Sequence, residues 1–203
     1  TSMRPASRPW KDSASEWRRK RGANDMKNEP VELEIDGGIA WLVLNRPASL
    51  NALDREAVAR FAGHVMIIRR RQDVRVVVTR GAGRAFCAGS DIRELAGLPA
   101  REAAHTECRH ARVFGMLATL PQPTIAMLHG YVLGGGLGLA LYHDFRIAST
   151  DAVLALPEVG LGIIPAAGAT QTLPRTAGRA KALEMMLTGR RIGAREALDM
   201  GLV

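Results

Sequence analysis

Gly130-Tyr-Val-Leu-Gly-Gly-Gly-Leu-Gly-Leu-Ala-Leu141 decides how this chain is read. It follows the strand-like run Pro123-Thr-Ile-Ala-Met-Leu-His129 and passes into an apolar, small-residue segment that reads as a helix. Three consecutive glycines at a strand-to-helix turn leave backbone N–H groups uncovered and let a ligand atom approach the main chain. The N-terminus of the helix adds unpaired donors and the positive end of its dipole. Such a place suits an oxygen that is, or becomes, negatively charged. The plainer alternative is a glycine turn that only lets helix and sheet pack closely.

Upstream of this turn the periodicities are clear. Val31-Glu-Leu-Glu-Ile35 alternates as a half-buried strand, Asp36-Gly-Gly38 turns, and Ile39-Ala-Trp-Leu-Val-Leu44 is a second strand. After the loop Asn45–Asn51, Asp54 caps a helix running to about Arg71, with Val58, Phe61, Ala62, Val65 and Ile68 at helical spacing. Arg69, Arg70 and Arg71 close that helix, where cations meet the negative end of the dipole; an RNA-binding patch is the less favoured reading. Val74–Thr79 is a β-branched strand, and Ala85-Phe-Cys-Ala-Gly-Ser-Asp-Ile92 passes from a short strand into a small-residue loop. A helical region spans about Ala100 to Leu120. It carries His105, Cys108 and His110, which at i, i+3 and i+5 do not share one helix face, so no metal site is expected.

Downstream, Phe145–Ser149 and Val153–Leu156 read as strands. Pro157-Glu-Val-Gly-Leu-Gly162 holds one carboxylate, Glu158, among apolar and glycine neighbours. Such a group is either exposed and idle or desolvated with a raised pKa. Short helices follow at Gly168–Thr176, Arg179–Leu187 and from Ala194. Strand pairs alternating with helices indicate an α/β layered fold with parallel pairing between repeats.

Composition sets outer bounds. The 203 residues, 47% of them apolar, suffice for one full core. No apolar run is long enough to span a bilayer, so no membrane partner is expected. Two cysteines, Cys87 and Cys108, make no disulfide framework and fit a reducing, cytoplasmic setting. The net charge of +8 is uneven: residues 1–27 hold eight Lys/Arg against three Asp/Glu, leaving +3 for the remainder. We therefore read 1–28 as a basic N-terminal extension, part of it upstream of an ordinary start at Met26, and 29–203 as the core. Nucleotide-binding motifs fail: neither GxGxxG, GxxxxGK[ST] nor GxSxG occurs. Ser90 and His143 make a formal nucleophile and base, with nothing in the sequence to bring them together.

Five ordered segments remain: Asn45-Arg-Pro-x-x-Leu-Asn-Ala-Leu53, Ala85–Ile92, Gly130–Gly136, Leu156–Pro165 and Leu187-Thr-Gly-Arg-Arg-Ile192. Together they resemble the crotonase (enoyl-CoA hydratase/isomerase) superfamily over about Val31 to Val203. The resemblance implies a crotonase-like spiral of repeated ββα units that holds acyl-coenzyme A thioesters. It implies an oxyanion hole made by the N–H groups of Ala88 and Gly135, and Glu158 as the acid–base residue. The substrate path is expected along Leu50, Ala52, Ala88, Gly89, Ser90, Asp91, Ile92, Gly134, Gly135 and Pro157. No separate cofactor is implied, coenzyme A being part of the thioester substrate, and a homo-oligomer, trimer or hexamer, is expected.

Two departures matter. Where hydratases of this superfamily usually carry a glutamate two residues after the third glycine, this chain has Gly138. The chain also stops where members continue into C-terminal trimerisation helices, which leaves the assembly weakened. The expectation is therefore isomerisation of an enoyl-CoA by one glutamate, with hydratase or decarboxylase chemistry as alternatives. From another class, an RNA-binding homologue or an inactive scaffold remains open.

Overall fold

The computed structural model describes residues 29–203; the expected basic extension, 1–28, lies outside the described residues. The chain opens with the hairpin β1 (Val31–Asp36) and β2 (Ile39–Leu44), antiparallel in the register Val31 opposite Leu44. Helix α1 (Arg55–Arg69) follows, its N-terminus closed by Asp54, whose Oδ1 accepts from Ala57 N at 2.8 Å. From there the chain coils. Each turn lays one strand in a large sheet, one in a small sheet, and then leaves as a helix or loop.

The large-sheet strands are β3 (Val76–Gly81), β5 (Thr124–Leu128) and β7 (Phe145–Ala148), giving the order β1-β2-β3-β5-β7 with every pair after the first parallel. The small-sheet strands are β4 (Ala85–Cys87), β6 (Tyr131–Leu133) and β8 (Val153–Ala155), parallel in that order. A two-residue strand, β9 (Ile192–Gly193), closes that sheet antiparallel to β8. The helices are α2 (Ile92–Ala96), α3 (Ala100–Gly115), α4 (Gly135–Leu141), α5 (Ala169–Ala177), α6 (Arg179–Thr188) and α7 (Ala194–Asp199). This is the expected spiral of ββα units.

Alternation along the strands and the helical stripe of α1 meet in one core. Leu42, Leu44, Val77, Ala126 and Leu128 from the large sheet are buried with Phe61, Val65 and Ile68 of α1. Phe61 and Phe114 of α3 pack edge to face with ring centroids 6.2 Å apart. Each such side chain contributes on the order of 2 kcal/mol by leaving water.

The coil positions the site. Strands β4, β6 and β8 are parallel neighbours, so their carboxyl ends lie side by side at about 4.8 Å spacing. The segments leaving those ends are Ala88–Asp91, Gly134–Gly136 and Leu156–Glu158.

Helix α4 ends at Leu141, where its apolar run ends. His143 and Asp144 lie beyond its end, not along it. His143 Nε2 pairs with Thr79 Oγ1 at 2.7 Å and Nδ1 with the Leu139 carbonyl at 3.0 Å; burial pushes its pKa down to about 4. Asp144 Oδ2 accepts from Thr124 N and Oγ1, both at 2.8 Å. Both side chains serve the sheet, so Ser90 and His143 are not a pair.

Candidate active site

Each glycine of the turn answers a different demand. Gly134 sits at φ +51 and ψ −126, a conformation open to glycine, and its N–H donates to Ala155 O at 3.0 Å. A Cβ on Gly135 would lie 3.3 Å from Ser90 Oγ and 3.5 Å from Ser90 N. A Cβ on Gly136 would collide with the carbonyl of Cys87 and approach its Cβ to 2.8 Å. Helix α4 thus rests directly on β4, and the space over Ser90 stays open.

That geometry corrects the expected donor pair. Ala88 N–H donates to Leu50 O at 3.0 Å, which removes it as a free donor. Three residues after Leu50, Leu53 takes both neighbours of Ser90: its N–H donates to Gly89 O at 2.8 Å and its carbonyl accepts from Asp91 N at 2.9 Å. Ser90 therefore faces away from the 50–53 segment, and Gly89, at φ +100, makes the change of direction. Among the described residues neither Ser90 N–H nor Gly135 N–H has an acceptor. Ser90, not Ala88, is the open donor beside Gly135.

Glu158 lies in the turn Pro157–Leu161 that leaves β8. Its Oε1 is 3.0 Å from where a Cβ on Gly134 would be, so the carboxylate rests against the glycine turn. Its Oε2 is buried with no hydrogen-bond partner among the described residues. Burial pushes its pKa up to about 6, and the negative charge of Glu107 on α3 adds to the effect.

Beside these groups is a cleft of about 1190 Å³, lined by the expected Leu50, Ala52, Ala88, Ser90, Asp91 and Ile92. Arg46, Arg55, Arg84, Arg93 and Arg109 line it as well. Arg46 is held by Asp54 at 2.9 Å and Asp91 at 3.0 Å, and also donates to Ala52 O. Arg84, Arg93 and Arg109 form no ion pair among the described residues, which leaves three cations for an anionic ligand. Asn51, 2% exposed, knits the 46–54 loop to the coil. Its Nδ2 donates to the carbonyls of Ala82, Ala85 and Phe86 at 2.9, 2.8 and 3.2 Å, and its Oδ1 accepts from Arg46 N at 2.9 Å.

Sequence reasoning missed His110 and Glu107. His110 is 1% exposed, and its Nδ1 is 3.3 Å from Ser90 Oγ and 3.7 Å from Glu107 Oε1. Burial lowers its pKa, against the charges of Glu107 and Glu94. The signal was present in the buried stripe His110, Val113, Phe114, Leu117, which turns Glu107 inward one helical turn earlier. His105 and Cys108 are exposed on other faces of α3. Cys87 is buried, and burial pushes its thiol up to about 12, so it is inert.

The arginine run at the end of α1 is largely occupied. Arg69 donates to Thr119 Oγ1 at 2.5 Å and Arg71 grips Asp73 through two bonds of 2.7 and 2.6 Å.

Comparisons with known proteins agree with this architecture. Residues 34–203 match the model of the enoyl-CoA hydratase/isomerase family. The chain is 46% identical over 166 residues to YngF of Bacillus subtilis (strain 168), named as an enoyl-CoA hydratase/isomerase; the match covers 81% of this chain and 64% of YngF. It is 38% identical over 204 residues to the human mitochondrial enoyl-CoA hydratase domain-containing protein 2, covering 97% of this chain and 68% of that one. The crystal structure of an enoyl-CoA hydratase from Bacillus anthracis superposes with a TM-score of 0.83 at 40% identity, covering 86% of this chain and 68% of that one. The chain thus spans about two thirds of the length of the relatives it matches. It belongs to the enoyl-CoA hydratase/isomerase family.

Proposed function

We propose that this chain binds acyl-CoA thioesters and moves a proton at the carbon next to the thioester carbonyl, with isomerisation of 3-enoyl-CoA to 2-enoyl-CoA as its main reaction. The observation that carries this is the half-buried Glu158, its Oε2 buried without a hydrogen-bond partner among the described residues and its Oε1 against a glycine turn that holds an open N–H donor, with a second at Ser90. In this reading the thioester oxygen accepts from Ser90 and Gly135. Negative charge grows there when the α-proton leaves, and fixed donors in a water-poor site stabilise it by several kcal/mol. A base with a pKa near 6 is ionised at neutral pH and still returns its proton readily. The arginines along the cleft suit the phosphates of coenzyme A.

Water addition is the second reading, favoured by the relatives named as hydratases. It asks for a water held and deprotonated by a carboxylate while a proton reaches the neighbouring carbon. Gly138 offers no side chain for this, and a Cβ there would stand 3.2 Å from both the Cβ and the carbonyl oxygen of Ala167. Parallel assays of 3-enoyl-CoA isomerisation and 2-enoyl-CoA hydration test the choice. Isomerisation should exceed hydration, and Glu158→Gln should lower it at least about 100-fold. Vigorous hydration that survives Glu158→Gln would refute the assignment.

A further inference from the structure

Ser90 brings more to the site than its backbone. It lines the cleft of about 1190 Å³, and its hydroxyl oxygen is 3.3 Å from Nδ1 of His110 on α3. Among the described residues the hydroxyl meets no other hydrogen-bond partner. His110 is buried, and a buried ring nitrogen held against one hydroxyl fixes the direction of that hydroxyl.

One point relates this side chain to the open N–H groups. Where a Cβ on Gly135 would stand, Ser90 Oγ is 3.3 Å away and Ser90 N is 3.5 Å away. The bare face of Gly135 therefore looks onto the amide and the hydroxyl of one residue at once. An oxygen seated beside it is within reach of the Gly135 N–H, the Ser90 N–H and Ser90 Oγ.

Whether Oγ gives or takes a proton there depends on Nδ1. Glu107 Oε1 lies 3.7 Å from the same nitrogen and has no hydrogen-bond partner among the described residues. A carboxylate oxygen only accepts, so it favours the proton on Nδ1. Nδ1–H then donates to Ser90 Oγ, and the hydroxyl proton is left to point into the cleft. The opposite arrangement, with Nδ1 taking the proton of Ser90 for acyl-enzyme chemistry, needs a bare Nδ1 and the acid on the other ring nitrogen. Both contacts fall on Nδ1, so Ser90 is a donor and not a nucleophile.

We infer that the Ser90 hydroxyl is a third donor to the thioester oxygen, aimed by His110, beside the N–H groups of Ser90 and Gly135. The inference rests on the acyl-CoA reading above. No bond to Ser90 forms or breaks: the hydroxyl keeps its proton, and its hydrogen bond strengthens while charge collects on the thioester oxygen. Ser90 is then catalytic through its hydroxyl as well as its amide, and His110 is a positioning residue.

Ser90→Ala keeps both N–H donors and removes only the hydroxyl. It should lower kcat for isomerisation of 3-hexenoyl-CoA about 10- to 100-fold and leave KM within about threefold, as one hydrogen bond to a developing charge does. Infrared difference spectra of bound hexanoyl-CoA, 13C-labelled at the carbonyl, read the same bond without turnover. The carbonyl stretch should lie higher in Ser90→Ala than in the unmodified chain. His110→Phe should reproduce both changes, and His110→Asn, which returns an amide N–H near the place of Nδ1, should recover most of the rate. Circular dichroism checks the folding of each variant, and Ser90→Ala, a change of one atom, decides the donor should His110→Phe not fold. An unchanged stretch, or kcat within threefold, in Ser90→Ala overturns the third donor. A folded His110→Phe that matches the unmodified chain overturns the role of His110. A stretch in the unmodified chain equal to that of the free thioester instead overturns the reading on which this one stands.

Discussion

The position of Glu158 disfavours its charged form. Its pKa lies at about 6 against an ordinary 4.5, so the folded chain holds a proton that the unfolded chain releases between these values. The sign follows: the stability contributed by the neutral form is fully present below about pH 4.5 and is lost as the pH rises through 6. Glu158→Gln stays neutral throughout. It should melt with the unmodified chain near pH 4.5 and above it at pH 7.5, by about 1 kcal/mol once screening on the partly exposed side is allowed for. Melting curves at the two pH values check this, and an equal or lower midpoint for the variant at pH 7.5 speaks against a desolvated carboxylate. Glu158, Gly134 and Gly135 were legible in the sequence because their neighbours are unusual: glycines in a row, and one acid among apolar residues. The donor pair was not. In a regular strand Ala88 and Ser90 would point their N–H groups the same way, and only the positive φ of Gly89 separates them. Asn51 read only as the end of a loop, but four hydrogen bonds make it the brace of that loop, through partners as far away as Phe86.

At the scale of elements, the hairpin, the α1 stripe and the strand-to-helix turns were readable because each follows from local period or turn chemistry. The ends of elements were less so. Strand β9 has two residues, too few for any period, and exists because β8 offers it a partner. His143, just past the end of helix α4, is tied to Thr79, 64 residues earlier, a partner no local pattern reveals. The seating of α4 on β4 makes the glycines unequal. Gly136→Ala drives a methyl group into the Cys87 carbonyl and should cost about 3 kcal/mol or more, while Gly160→Ala enters open space and should stay within about 0.5 kcal/mol. Denaturant midpoints of the two variants measure the difference. Equal midpoints would mean that the helix does not bear on the strand.

For the molecule as a whole, the edge of the large sheet is the feature with a consequence in solution. Strand β7 is an outer strand, and Phe145 and Ile147 on it are each 60% exposed, with Ile164 at 81% elsewhere on the surface. An apolar edge strand invites pairing. We expect this 203-residue chain to self-associate, and Phe145→Glu with Ile147→Glu to reduce the association. Light scattering across a concentration series decides, with a monomer at all concentrations as the contrary result. The coil has a different consequence for how the chemistry can change. Its small sheet works as a ladder: each circuit of the chain ends on a rung, and consecutive rungs stand about one strand spacing apart. Gly138 lies on α4, beyond the β6 rung, so a change of side chain there leaves the rungs themselves in place. Such a scaffold can change the side chains at its strand ends while the ladder itself stays fixed.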